Sequence, residues 1–302
     1  MAAAIGARIG GEVVGCDAVQ VYRGFDAATA KPTPEERRGV PHFMLDVADP
    51  RHDYSVADYV READAAIAGI VARGAIPIVV GGTGMYLRGL LKGVVPAPPR
   101  DLALRDRLRR MGVRFGARRL HRLLARLDPE SASRLPPGDT QRVVRALELA
   151  CAPGPTWSQR LRGSGTWSRS GERYAALKLG LDLDRAVHRH RLAHRVDGFF
   201  SAGLVDEVER LISGGVPPTA NAFKAIGYRE VVRARAEGTD PRGERDAIVA
   251  ATVRLAKRQR TWFRKEPDVS WLDAALSDEI LLERVHGAWA AFASPGGAGS
   301  LC

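Results

Sequence analysis

The sequence predicts an α/β protein: a parallel sheet flanked by helices, with a helical insertion and a helical C-terminal region. Three observations predict it. Ile76-Pro77-Ile78-Val79-Val80 is a short apolar run dense in β-branched residues, the composition of a strand buried on both faces. It stops at Gly81-Gly82-Thr83-Gly84 and gives way to helix-compatible Met85-Tyr86-Leu87-Arg88, a strand–turn–helix unit. Residues 101–150 then read as helices crowded with arginine, so they interrupt the sheet.

In chain order, residues 2–9 read as a helix closed by Gly10-Gly11, and Glu12-Val13-Val14-Gly15-Cys16 as a strand ending at Asp17. Residues 41–46 read as another short strand. A helix opens at Ser55, a good N-cap with Asp58 at the capping-box position, and runs to Arg73 with Ala57, Val60, Ala63, Ile67, Ile70 and Val71 inward. Gly74 ends it before the organising strand, giving a strand–helix–strand pattern that favours a parallel connection. Pro96, Pro98 and Pro99 form a linker. Helices follow over 101–111, 114–127, 129–135 and 139–151, then a loose Gly/Ser/Thr/Trp loop over 152–173. The sheet resumes at 175–181, and helices occupy 184–213 (broken near 201–203), 222–236 and 243–264. The expected organisation is therefore a core of 1–96 with 175–275, an insertion of 97–174, and a C-terminal helix and disordered tail over 276–302.

Composition narrows the function. The 302 residues carry a net charge of +11, with only six lysines, so arginine supplies most of the positive charge. Arginine's planar fork suits phosphates and bases, and such an excess favours a polyanionic partner. Cys16, Cys151 and Cys302 form no pair motif, as in a reducing cytoplasm. No stretch reaches the ~20 apolar residues of a membrane span, and the N-terminus lacks the pattern of a signal peptide.

The candidate chemistry sits at strand ends. The Gly-Gly-Thr-Gly turn is either a tight connection or a phosphate-type site, where amides and the Thr83 hydroxyl meet an anion. Asp17 is placed for either a general base or an N-cap. Leu255-Ala256-Lys257-Arg258-Gln259-Arg260-Thr261-Trp262-Phe263-Arg264 mixes basic and aromatic residues, which fits phosphate contact with base stacking, or a solvated face over an aromatic anchor. Gln141-Arg142-Val143-Val144-Arg145 is a weaker basic patch. His188, His190 and His194 lack any HExxH context and argue against a metal site. No GxSxG elbow and no GxxxxGK[ST] loop occur.

Several ordered motifs together carry a resemblance: Asp17-Ala18-Val19-Gln20-Val21-Tyr22, Thr29-Ala30-Lys31-Pro32, Val80-Gly81-Gly82-Thr83-Gly84-Met85-Tyr86, Gln141 to Arg145, Ile226-Gly227-Tyr228-Arg229, and Leu255 to Arg264. The chain resembles the tRNA dimethylallyltransferases, the tRNA isopentenyltransferase family. The resemblance implies a P loop NTPase-like (P-loop NTPase-like) sheet and transfer of a dimethylallyl group from dimethylallyl diphosphate. The acceptor would be the exocyclic amine of the adenosine 3′-adjacent to the anticodon, in tRNAs reading codons that start with U. It implies that Asp17 is the general base, Gln20 holds the adenine edge, Thr83 hydrogen-bonds the departing diphosphate, and Arg229 with Gly82 binds that diphosphate. Mg²⁺ would bridge the diphosphate oxygens, with no protein ligand assigned. Contacts to the tRNA anticodon stem-loop would come from Ala18, Val19, Arg105, Gln141, Arg142, Arg145, Lys224, Gly227, Tyr228, Lys257, Arg258, Gln259, Arg260, Trp262 and Arg264. A cytoplasmic monomer with no membrane partner is expected.

The sequence departs from the family twice. Ala18 stands where a Ser or Thr usually follows the base. The family's opening strand and its Gly-rich loop ending Gly-Lys-Ser/Thr are not found, so a start codon upstream of Met1 is expected, along with a slot in the sheet. A second function stays open on that ground: a tRNA-binding protein with impaired catalysis. A small-molecule prenyl transferase is a third, disfavoured by the basic helix and the insertion.

Overall fold

The computed structural model describes residues 1–98, 100–164 and 172–294. The tail expected to be disordered, 296–300, lies outside the described residues, as does 165–171 of the expected loose loop. The chain divides into two compact units, Met1–Leu91 with Tyr174–Cys302, and Lys92–Arg173.

In the first unit, α1 (Ala2–Ile9) ends at Gly10, whose left-handed φ of 69° lets its N–H reach the Gly6 carbonyl. Strand β1 (Gly11–Gly15) pairs in parallel with β2 (His42–Phe43) on one side and β3 (Ile76–Val80) on the other, in the order β2-β1-β3. β2 is shorter than the strand expected over 41–46, because Met44 and Asp46 take φ values of 63° and 57° that no strand accommodates. Helix α2 (Val56–Ala72) connects β2 to β3 and packs on β1 and β3. Its start is set by the expected capping box: Ser55 Oγ accepts from the Asp58 N–H while the Asp58 carboxylate accepts from the Ser55 N–H. Tyr59, Val60, Ala63, Ile67 and Ile70 are its buried stripe, whereas Ala57 and Val71 face solvent.

β3 is not buried on both faces as expected; it is half-exposed along its length, and Val80 is 41% exposed. Among the described residues only β1 pairs with it, so β3 is an edge strand. Helix α3 (Gly84–Lys92) follows the glycine turn. A second sheet holds β4 (Lys178–Asp182) paired in parallel with β5 (Val269–Asp273), a strand not legible in the sequence. Helices α9 (Arg185–Ser201) and α10 (Leu204–Ser213) are separated at Gly203, as expected. The helix expected over 222–236 is instead a 3₁₀ turn, Asn221–Lys224, and α11 (Tyr228–Glu237), parted at Gly227 where φ is 92°. Helix α12 (Arg245–Phe263) packs on α9, and α13 (Asp278–Ala293) packs on α1.

The second unit is helical: α4 (Leu102–Phe115), α5 (Ala117–Leu127), α6 (Pro129–Arg134), α7 (Thr140–Cys151) and α8 (Trp157–Ser164). The break between α4 and α5 falls later than expected, at Gly116 with φ 82°. Helix α8 corrects the expected loose loop over 152–173: Thr156 accepts from the Gln159 N–H and the Gln159 side chain accepts from the Thr156 N–H, a cap that starts a helix despite poor propensity. Leu108, Leu120, Leu124, Val143 and Leu147 form the core.

One buried charge dominates this unit. Glu148 is 3% exposed, accepts from the Asp101 N–H and from Arg105 at 2.7 Å, and forms an ion pair with Arg145 at 2.8 Å. Burial works to raise its carboxyl pKa, but the bonds from Arg145, Arg105 and Asp101 prevail and hold it below the ordinary 4.5. Glu148→Gln leaves two arginines without their counter-charge, and is expected to destabilise this unit by about 3–5 kcal/mol in thermal or denaturant unfolding. The folded pKa is depressed, so the wild-type contribution is complete above the unfolded value. It is lost as pH falls through the folded one, and the variant lacks that acid-sensitive step.

Candidate active site

The site forms where β1 and β3 end side by side. Gly15 and Val80 are register partners, and the Cys16 N–H donates to the Val80 carbonyl at 2.8 Å. Beyond that point the two exits nearly touch. A Cβ on Gly81 would lie 2.1 Å from the Cys16 carbonyl oxygen, so only glycine permits the crossing. The Thr83 N–H then donates to the Cys16 carbonyl at 3.1 Å, and the Ala18 N–H donates to Thr83 Oγ1 at 3.0 Å. A hydroxyl that accepts from an amide keeps its own proton to donate elsewhere.

Asp17 therefore sits one residue from the amide that Thr83 holds. Its Oδ1 accepts from the Val19 and Gln20 N–H groups at 2.8 and 3.1 Å, closing an Asx turn. Its Oδ2 has no hydrogen-bond partner among the described residues. No helix follows Asp17, so it is not the N-cap weighed for it; Oδ1 closes a turn instead, and Oδ2 is left open. Cys16, next to it, is no nucleophile: burial pushes its thiol up to about 12.

Gln20 donates both amide hydrogens to the loop opposite, at 2.9 Å to the Thr29 carbonyl and 3.0 Å to that of Ala30, which leaves Oε1 as its open acceptor. That loop is tied down twice. Lys31, only 6% exposed, donates to the Tyr22 carbonyl, to Asp26 at 2.8 Å and to Asp46 at 2.6 Å. The Glu207 carboxylate accepts from the Asp26 and Ala27 N–H groups and from the Tyr228 hydroxyl at 2.6 Å. Tyr228 was expected on the RNA; its side chain is instead fully buried, 4.7 Å from the Phe25 ring. Burial, and then the Glu207 charge, push its hydroxyl well above the usual tyrosine range. Gly227 is buried too, with its N–H on Glu230, while Arg229 is exposed and paired with Glu230. Lys224 is exposed and donates to Asn221.

Helix α12 divides its side chains between two faces. Lys257 and Arg258 are exposed. Gln259 and Trp262 are part-buried against the glycine turn: Gln259 Nε2 donates to the Gly82 carbonyl at 3.1 Å, and the indole covers Gly84. Arg260 and Arg264 are tied to Asp182 at the end of β4, at 2.7 and 3.0 Å. Within the chain, Gln259, Trp262 and Arg260 hold the helix on the sheet ends. The signal was present, since Gln259 and Trp262 are three residues apart and share a helix face.

In the second unit, Arg105 and Arg145 are engaged by Glu148, so of that group Gln141 and Arg142 are the exposed members. The structure thus gathers Asp17, Ala18, Val19, Gln20, Gly82, Thr83, Gln259 and Trp262 in one place. Gly227 and Tyr228 meet the Asp26–Ala30 loop at Ala28, whereas Arg229 and Lys224 are not brought to it. A cavity of about 420 Å³ opens beside the corner, lined by Val13, Gly15, Gln20, Ala30, His42 and Val80 among others; neither Asp17 nor Thr83 lines it. Among the described residues no three His, Cys, Asp or Glu side chains converge as a metal site.

Parallel strands whose carboxyl ends meet at a glycine corner, with a helical unit inserted after it, place the protein among the P-loop-like α/β folds. The family model for IPP transferases matches residues 20–266. The chain belongs to that family. A tRNA dimethylallyltransferase of Geobacter metallireducens is 41% identical over 93% of this chain and 90% of its own length. One from Thermomicrobium roseum is 43% identical over 92% and 83%. Among solved structures, the full-length tRNA isopentenylpyrophosphate transferase of Bacillus halodurans is similar with a TM-score of 0.68 and 32% identity, covering 95% of this chain and 90% of that one. A eukaryotic dimethylallyltransferase acting on tRNA is similar with a TM-score of 0.77 and 25% identity, covering 96% and 73%.

Proposed function

We propose that the protein transfers the dimethylallyl group of dimethylallyl diphosphate to the exocyclic amine of the adenosine next to the anticodon, on its 3′ side, in tRNAs reading codons that start with U. The observation that carries this reading is the join between the two chemical groups. The Ala18 amide is bonded to Thr83 while the adjacent Asp17 keeps Oδ2 open, so a base and a hydroxyl donor are fixed to one frame.

The reaction forms a bond from the amine nitrogen to the first carbon of the prenyl group and breaks the bond from that carbon to the diphosphate oxygen. The nitrogen loses a proton, and Asp17 Oδ2 takes it. Negative charge grows on the leaving oxygen, where the Thr83 hydroxyl donates; a fixed donor at that place lowers the barrier. Gln20, with both N–H groups committed, offers Oε1 to the amine and so orients it. Arg229 supplies positive charge for the diphosphate, and Gly82 brings the turn's backbone to it. The adenosine must leave its stack to be reached.

The described residues do not fit a resident Mg²⁺ ion: among them no three His, Cys, Asp or Glu side chains converge, and Ala18 brings no hydroxyl beside Asp17. Magnesium entering on the diphosphate's own oxygens is the form of this cofactor that the donor set supports.

The charge distribution supports a tRNA partner. Helices α4 and α5 carry nine arginines and one acid, Asp106, which pairs with Arg109. At their junction Arg114 lies 5.1 Å over the ring of Phe115, which is 58% exposed, the combination that stacks nucleobases. On α12, Lys257 and Arg258 present the exposed charge. Replacing both by alanine is expected to weaken binding of an anticodon stem-loop RNA and to lower the salt slope of binding by about 1.4–1.8. An unchanged slope in anisotropy titrations places the RNA elsewhere. The overall reading is tested by mass analysis of tRNA after incubation with dimethylallyl diphosphate. Binding of RNA without transfer would favour the catalytically impaired alternative.

A further inference from the structure

Thr83 is held from two directions, and one of them has no part in the chemistry described above. Towards β1, its N–H and Oγ1 are bonded to Cys16 and Ala18. On the other side lies α12. The Gln259 amide donates to the carbonyl of Gly82, one residue before Thr83, at 3.1 Å. The Trp262 indole covers Gly84, one residue after it. The approach is close enough to exclude any side chain. A Cβ on Gly82 would stand 2.1 Å from Gln259 Nε2, and one on Gly84 would stand 2.5 Å from the indole. The indole is itself fixed: Arg88 of α3 lies 4.6 Å over it and pairs with Glu266 just past α12, and Phe263 meets it edge-on at 4.8 Å. The peptide before Thr83 is therefore bonded from α12 through its Gly82 carbonyl, while the Thr83 carbonyl accepts from the Tyr86 and Leu87 N–H groups at the start of α3.

We infer that Gln259, backed by Trp262, is a positioning residue for Thr83, and that α12 ties RNA docking at its exposed Lys257 and Arg258 to the alignment of the Thr83 hydroxyl. The inference rests on the prenyl-transfer reading. The physical ground is the steep geometry dependence of a hydrogen-bond donor aimed at developing charge: a rotated Gly82–Thr83 peptide moves the hydroxyl off its line. Gln259 touches no reacting atom in this arrangement, so its removal acts through Thr83.

Gln259→Leu removes the donor and keeps most of the volume. The expected result is a fall of about tenfold in kcat at saturating RNA, with the dissociation constant for an anticodon stem-loop RNA unchanged within about twofold. In a Thr83→Ala background the same substitution is expected to add nothing, because the group it positions is gone. Weaker RNA binding with unchanged kcat would make Gln259 an RNA contact and overturn the inference; so would a full tenfold loss on top of Thr83→Ala. A third measurement separates this inference from the functional reading. Amide hydrogen exchange at Gly82–Gly84 is expected to quicken in Gln259→Leu while the exchange of β1 stays unchanged. A wild-type protein without transfer activity would strike the functional reading, and the exchange result alone would then decide whether the clamp exists: unaltered exchange at the corner rejects it.

Discussion

Asp17→Asn is expected to lower kcat by roughly 10²–10⁴-fold, the range for losing a general base. The substitution isolates the chemistry from the fold. The asparagine carbonyl can still accept from the Val19 and Gln20 N–H groups, as Oδ1 does now at 2.8 and 3.1 Å. What it loses is the open oxygen: an amide nitrogen in the Oδ2 position accepts no proton. The melting temperature and the affinity for stem-loop RNA should therefore stay near wild type while turnover collapses. Asp17→Ala, by contrast, also opens the Asx turn and should cost stability. A wild-type rate in Asp17→Asn would remove Asp17 as the base and leave it the acceptor of the Asx turn alone.

Thr83→Ala is expected to lower kcat by about 10²–10³-fold, the range for removing one donor from a developing anion. A stability cost of about 1–3 kcal/mol accompanies it, because the Ala18 N–H loses its acceptor in a part-buried site. Thr83→Ser restores both the acceptor and the donor and should recover most of the rate, whereas Thr83→Val fills the same volume and should not. This pair of variants distinguishes the hydroxyl's chemistry from its packing. Equal rates in Ser and Val variants would show that the corner needs only the shape.

Much of this was legible in the sequence because local chemistry decided it. The Ser55–Asp58 capping box fixed where α2 begins, Gly10 and Gly203 fixed where α1 ends and α10 starts, and the β-branched run at 76–80 fixed β3. What local chemistry does not decide was misread. β3 is an edge strand, and burial of a strand depends on neighbours the run itself does not specify. β5 was missed because Val269-Ser270-Trp271-Leu272-Asp273 gains its strand conformation by pairing with β4, far away in the chain. Helix α8 arises from reciprocal Thr156–Gln159 capping in a stretch whose composition reads as loop.

The site shows the same division. Asp17 and Thr83 were selected from strand-end position and glycine context, and the structure joins them through one amide. The basic–aromatic motif left two readings open, RNA contact or a solvated face over an aromatic anchor, because sequence order places Gln259 and Trp262 among basic residues. Helix geometry sorts them: residues three apart share a face, and that face meets the glycine turn. Tyr228 was grouped with its exposed neighbour Arg229, although the first packs against Phe25 and Glu207 in the core.

One measurement bears most directly on the central claim that the Asp17–Thr83 corner performs prenyl transfer to tRNA. Wild-type, Asp17→Asn and Thr83→Ala proteins are incubated with dimethylallyl diphosphate and tRNA that lacks the modification, and the anticodon fragment is weighed by mass spectrometry. The expected result is one added dimethylallyl group on the adenosine 3′ of the anticodon with wild-type protein, and little or none with either variant. Transfer that proceeds equally in all three, or an added mass at another nucleotide, would contradict it.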